Sequence, residues 1–308
     1  MNTPASDQPR PEVDDGRSIA HPLHTRHERR FRENRFVYPV LSRRAGGISL
    51  GINLNPDKVC NFDCIYCQVD RTRQGTTRFV DLSQLLEELD AALRWIASGE
   101  IYRCDPFRDT PPSLRTFHDI AFSGDGEPTT YKNFDQIVAA CAELKRKHGL
   151  DAVKMVLITN ASMLHRPHVR RALEILDQNQ GEIWAKLDAG TEGYYRQVER
   201  TPIPFQQILA NIAEAARTRP IVIQSLFMRI DGSPPSQTEQ EAFCRRLVEI
   251  VETGGRIRLV QLYTVARRPA ETSVTPLDDD QVDALASLVG ETTGLPVATF
   301  YGNSEWSS

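Results

Sequence analysis

From residue 48 onward, short apolar runs alternate with longer segments whose apolar residues recur every three or four positions. Runs of strand length lie at 48–54 (ISLGINL), 118–123 (HDIAFS), 153–160 (VKMVLITN), 182–188 (EIWAKLD), 220–228 (PIVIQSLFM) and 257–265 (IRLVQLYTV). Segments with a helical period lie at 82–97, 134–148, 167–178, 205–217, 237–253 and 278–292. The first of these puts Leu82, Leu85, Leu86, Leu89, Leu93 and Ile96 on one stripe. The second ends at Gly149 after Lys145 and Lys147, which suits a helix C-terminus.

Strands alternating with helices specify a parallel sheet. With right-handed crossovers, six such units curl into a partial, open (βα)6 barrel, the fold class expected here. A flat doubly wound sheet fits the same alternation and stays open on pattern alone. Residues 99–117 read as an insertion before the second strand, and 297–301 (VATFY) as a last short strand at an edge. The expected division is an N-terminal arm over residues 1–45, basic and partly disordered, and one barrel domain over 46–308.

Composition narrows the classes. Of 308 residues, 40% are hydrophobic, enough for a substantial core, and 25% are charged, which argues against a membrane protein or a disordered chain. No apolar run approaches the roughly 20 residues of a membrane span. The first residues lack the basic-then-apolar layout of a signal peptide, so a cytoplasmic location is expected. A net charge of -4 gives no global reason to expect nucleic acid. Residues 21–44 are strongly basic, however, and read either as a solvated arm packing through Phe36, Val37 and Tyr38 or as an RNA contact.

Three of the six cysteines, Cys60, Cys64 and Cys67, fall within eight residues directly after the first predicted strand. In a long chain without a leader, such a cluster points to metal or redox chemistry rather than disulfides. Structural zinc would need a fourth Cys or His nearby, and ferredoxin-type carriers use a fourth Cys and other spacings. Three thiolates on one loop can hold a [4Fe–4S] cube and leave one iron open to an outside ligand. Cys141 and Cys244 lie on apolar helix stripes and read as core, and Cys104 has no partner at ligand spacing.

Cys60, Cys64 and Cys67 with Tyr66 form a C-x3-C-x-aromatic-C run, and the sequence resembles the radical S-adenosylmethionine (SAM) superfamily over about residues 48–301. The segments SLGINLNPDKVCNFDCIYCQ, FSGDGEPT, KLDAG and VQLYTVARRPAE are most similar to the iron–sulfur oxidoreductase branch related to wyosine-type tRNA modification enzymes. The resemblance implies a [4Fe–4S] cluster on the three cysteines and SAM chelated at the open iron. Reductive cleavage of SAM would give a 5′-deoxyadenosyl radical that abstracts hydrogen from a substrate. It also implies an external one-electron reductant of flavodoxin or ferredoxin type. The tRNA-wyosine synthases carry further cysteines upstream, and this chain has none before Cys60, so the substrate does not follow.

By the same resemblance Tyr66 lies near the SAM adenine, and Gly126 and Glu127 hold its amino group, although Asp125 stands where the family's first glycine would. Asn160 matches a turn after the third strand in which Ala161 replaces the usual glycine. Independently of the resemblance, Gln224 puts a polar group for the cofactor on the otherwise apolar fifth strand, with Ser225 on the opposite face and the inward one of the two left open by the sequence. The fourth strand is informative without any family. Trp184, Lys186 and Asp188 alternate with Ile183, Ala185 and Leu187, so the charged face should point into the barrel. A buried Lys–Asp pair is a poor device for stability alone. Lys186 and Asp188 are therefore the expected catalytic pair, with an internal salt bridge as the alternative. Arg267 and Arg268, beyond the sixth strand, could meet a carboxylate or phosphate. Two other readings compete with the enzyme: an iron–sulfur electron-transfer protein, and a zinc-stabilised RNA-binding module.

Overall fold

The computed structural model describes residues 31, 33–71, 75, 77, 79–269 and 271–302. Most of the expected N-terminal arm lies outside the described residues. One mainly parallel sheet dominates, made of β1 (Val37–Ser42), β2 (Gly47–Ile52), β3 (Phe117–Phe122), β4 (Lys154–Thr159), β5 (Gly181–Lys186), β6 (Ile221–Leu226), β8 (Ile257–Tyr263) and β10 (Val297–Phe300), in that spatial order. All neighbours are parallel except β1 with β2. A separate two-stranded ribbon joins β7 (Met228–Ile230) to β9 (Val274–Pro276).

The crossovers carry α1 (Leu82–Ala97), α2 (Phe134–Lys147), α3 (Pro167–Asp177), α4 (Glu192–Glu199), α5 (Phe205–Thr218), α6 (Gln237–Glu252) and α7 (Asp279–Thr293). Each long helix buries one apolar stripe; in α1 it is Leu85, Leu89, Leu93 and Ile96. Three of them, α1, α6 and α7, start at side-chain caps: Asp81 accepts from Gln84 N, Ser236 from Glu239 N, and Asp278 forms a capping box with Gln281. No helix among the described residues is long and apolar enough to cross a membrane.

Residues 37–42, which the sequence assigns to the arm, form the antiparallel edge strand β1. An edge strand pairs on one side only, so Pro39 is tolerated opposite Leu50. The start of β1 is held by Glu88 of α1, whose carboxylate accepts from the backbone N–H groups of Arg35, Phe36 and Val37. Tyr38 faces Gly51 across the pair, and a side chain at Gly51 would collide with its ring.

The sheet is curled. Arg43, just after β1, donates from Nη1 to the carbonyl of Tyr301, just after β10, at 2.6 Å. The first and last strands of an eight-stranded order touch only if the sheet bends round on itself, with the stagger that tilted barrel strands require. The outer face packs Ile183, Ala185 and Leu187 into the main core with the helices. The inner face presents Ala121, Val156, Trp184 and Val222 as a small apolar floor.

Candidate functional site

The three cysteines lie on the loop after β2, at the C-terminal end of the parallel strands, where barrels of this kind place their chemistry. The loop is strapped to the end of α4: Asp63 N donates to Glu199 O and Ile65 N to Val198 O. A tight turn within it sets Cys67 N on Cys64 O at 2.9 Å. All three cysteines are free and half-buried. Arg71 bonds through Nη1 to Lys58 O and reaches Cys67 Sγ through Nη2 at 3.6 Å. Burial works against the Arg71 charge, but the Cys67 and Cys60 sulfurs outweigh it and raise its pKa. A guanidinium so placed favours thiolate over thiol.

The loop after β3 closes against the cysteine loop. Asn53 Oδ1 accepts from Asn55 N and Asp125 N, and its Nδ2 donates to Asp125 Oδ2 at 2.6 Å. At Gly126 an added Cβ would lie 2.2 Å from the Val59 carbonyl, so only glycine lets the two loops meet. The sequence reading gave this glycine to the ligand; its immediate neighbour is the cysteine loop itself. Glu127 is buried, and burial raises its pKa. Its Oε1 accepts from Thr129 N, Thr129 Oγ1 and Thr159 Oγ1, while Oε2 accepts only from Asn160 N at 2.7 Å. Oε2 therefore keeps acceptor capacity.

Asn160, at the end of β4, donates to Asn61 Oδ1 at 2.9 Å and so ties this strand to the cysteine loop. Ala161 has φ of 62°, the left-handed region that favours glycine. It is held there by Thr159 Oγ1 on its N–H and Asn211 Nδ2 on its carbonyl. Local strain of this kind at a site persists only where its surroundings enforce it.

The inner face of β5 is the one its alternation foretells. Trp184 and Lys186 line a cavity of about 320 Å3 together with Cys60, Cys64, Cys67, Tyr66, Gly126, Glu127, Asn160 and Gln224. Lys186 Nζ bonds Asp188 Oδ2 at 2.9 Å and Tyr263 Oη at 3.0 Å. Burial would lower the Lys186 pKa, yet the Asp188 carboxylate and Tyr263 hold it above its ordinary value. The pair is thus an internal salt bridge, in which Lys186 lines the cavity and Asp188, expected to face it too, lies buried behind. Tyr66 stands under this ammonium, 4.9 Å from ring centre to Nζ, and donates its hydroxyl to Asp188 Oδ2 at 2.5 Å. Gln224 faces inward and donates to Gln261 Oε1, while Ser225 faces outward and donates to Leu187 O.

Glu199 is the residue that sequence reasoning missed. Its buried carboxylate accepts from Cys64 Sγ at 2.6 Å and lies 3.5 Å from Tyr66 Oη. Burial and the Asp188 charge raise its pKa well above the carboxylate range, and burial with Glu199 raises that of the Cys64 thiol. Helix α4 is only eight residues long, so its apolar stripe of Tyr195 and Val198 is too short to announce it. Arg268 lies beyond β8, and the Arg267 carbonyl receives Gln68 Nε2.

Two solved structures share this architecture. A radical SAM methyltransferase from Sphaerobacter thermophilus superposes with a TM-score of 0.59 at 15% identity, over 88% of this chain and 70% of that one. Streptococcus suis SuiB, solved bound to S-adenosylmethionine, gives 0.55 at 13% identity, over 85% and 52%. The chain has the radical SAM fold. No family model matches the sequence. The UPF0026 protein slr1464 of Synechocystis is 26% identical over 273 residues, 83% of this chain and 88% of that protein. "GTPase Obg" of Brachyspira hyodysenteriae is 24% identical over 262 residues, 82% of this chain but only 33% of that protein. The chain thus spans about a third of the length of that relative, and its sequence contains no Gly-Lys pair of the kind a P-loop needs.

Within the radical SAM fold, the donor set fits the cluster. Among the described residues no three His, Cys, Asp or Glu side chains are gathered so as to hold one metal ion. A cube on which each thiolate takes its own iron asks instead for sulfurs spread along one loop, with a cation nearby for the anionic assembly. Cys60, Cys64 and Cys67 with Arg71 meet both requirements. The spare acceptor on Glu127 suits an ammonium group such as that of SAM.

Proposed function

We propose that this protein is a radical SAM enzyme whose [4Fe–4S] cluster is held by Cys60, Cys64 and Cys67. The carrying observation is the cysteine loop at the barrel mouth, bonded directly to the loops bearing Glu127 and Asn160. When bound, the cluster and SAM supply reductive cleavage of the sulfonium and a radical able to take hydrogen from a substrate.

The chain's own residues position and shield. Glu127 Oε2 would accept from the SAM amino group, and the bonds of this carboxylate to Thr129, Thr159 and Asn160 fix the direction in which that oxygen points. Gly126 and Asn53 hold the two loops at the spacing this requires. Tyr66 offers its ring to the adenine and is fixed by its bond to Asp188. Gln224 supplies a polar group on the opposite wall. Lys186 stays protonated beside Asp188 and presents a fixed positive charge to the substrate, while Trp184 and the apolar floor exclude water. Electrons come from a one-electron reductant of flavodoxin or ferredoxin type.

The test is anaerobic reconstitution with iron and sulfide, then dithionite and SAM, with 5′-deoxyadenosine as the readout. The intact chain should form it and Cys64→Ala should not, a loss of about 100-fold or more. A cluster that assembles without binding SAM would make the protein an electron carrier, and a chain that takes only zinc would end the proposal.

A further inference from the structure

The strongest unassigned feature is a pair of guanidinium groups inside the curled sheet. Arg43 and Arg44 leave the end of β1 and turn into the cavity that the cysteines also line. Arg44 lies 5.1 Å from the ring centre of Tyr263 and 6.0 Å from that of Trp184. Tyr263 is thereby flanked by two cations, since Lys186 lies 5.4 Å from the same ring. Lys186 has its carboxylate in Asp188. The two arginines have none: among the described residues neither is within ion-pair distance of an Asp or Glu, and the one strong bond of Arg43 goes to the Tyr301 carbonyl. Asp119 shares this wall and stands close enough to Arg44 to feel its charge, but its own bond is with Ser49.

Positive charge gathered in a half-buried wall without an ion pair of its own is costly unless something anionic visits it. Burial and the neighbouring Arg44 charge bring Arg43 down to about 10, the direction expected of such crowding. The planar fork of arginine matches two-oxygen groups, and the flanking Trp184 and Tyr263 rings offer flat apolar contact beside it.

We propose that Arg43 and Arg44 form the anion-recognition wall of the substrate site, so that the substrate carries a phosphate or carboxylate group. This rests on the radical SAM reading for the reaction but not for the binding. Arg43 also closes the barrel, so Arg44, whose ring contacts are not part of that closure, is the residue to vary.

Inorganic phosphate and, separately, acetate are titrated into the full chain at constant ionic strength, with chloride as the balancing anion. The melting temperature should rise saturably with one of them, which identifies the oxyanion preferred. Arg44→Gln should raise the half-saturating concentration about tenfold or more, and Arg44→Lys should recover part of the loss because the charge remains. SAM affinity of the reconstituted Arg44→Gln protein should stay within about threefold of the parent. No saturable rise with either anion, an unchanged midpoint in Arg44→Gln, or a parallel loss of SAM affinity would each overturn the assignment. A chain that binds the anion through Arg44 but never SAM would leave this wall standing and remove the radical SAM reading instead.

Discussion

Asp188 accepts from three groups: Lys186 Nζ and the Tyr66 hydroxyl at Oδ2, and Leu226 N at Oδ1. Its side chain has no exposed surface, and that of Lys186 is 18% exposed. Asp188→Ala strands a buried ammonium, a peptide N–H and a phenol together, and should cost about 3–5 kcal/mol in urea unfolding. Removing both charges should cost far less than the two single losses summed. The double variant Lys186→Met with Asp188→Ala is therefore expected to unfold at higher urea than Asp188→Ala alone, and strict additivity would show the pair to be uncoupled. The alternation in IWAKLD made this pair legible, because strand geometry fixes which residues share a face. Glu199 was illegible for the opposite reason. It reaches Cys64 across 135 positions of sequence from a helix too short to show its stripe, and nothing local marks it.

Elements were legible where burial imposes a period. The long helices and the six inner strands appear within a few residues of their expected places, since each must bury a stripe or a face. Strand β1 lacks that signal: it follows a basic run, contains Pro39, and sits at an edge where one row of backbone groups goes unpaired. Its attachment depends on Glu88, one carboxylate serving three N–H donors. Glu88→Ala should destabilise the protein by about 1–3 kcal/mol. Amide hydrogen exchange should show Phe36 and Val37 opening well before the central strands, and unchanged protection there would mean that β1 is held by its ladder with β2 alone. The short β7–β9 ribbon and α4 fall below the length at which a pattern declares itself.

Across the whole molecule, the parallel sheet and its curl into an open barrel were foreseen, whereas the Arg43–Tyr301 contact across the gap joins residues far apart in sequence and no local pattern contains it. Inside the closed sheet, Asp119 is buried and its pKa rises from 3.8 to about 6 through desolvation, against the help of Ser49. Between those values the folded chain keeps a proton that the unfolded chain has lost, so stability falls as pH rises through that window. One unit is worth about 1.4 kcal/mol, which makes the deficit above pH 6 about 2–3 kcal/mol. Asp119→Asn should unfold at the same denaturant concentration as the parent near pH 4 and at a higher one near pH 7. A gap that does not change with pH would show that Asp119 ionises normally.

The bond between Arg43 and the Tyr301 carbonyl has a mechanical consequence. A barrel closed by strand pairing has its girth set by strand number and stagger, and can widen only by breaking a ladder. This one, among the described residues, is spanned by a clasp, the Arg43 side chain reaching across the gap between β1 and β10. No strand ladder among them joins those two edges, since β1 pairs with β2 and β10 with β8. The side chain that spans this gap is thus also one of the two proposed to meet an anion.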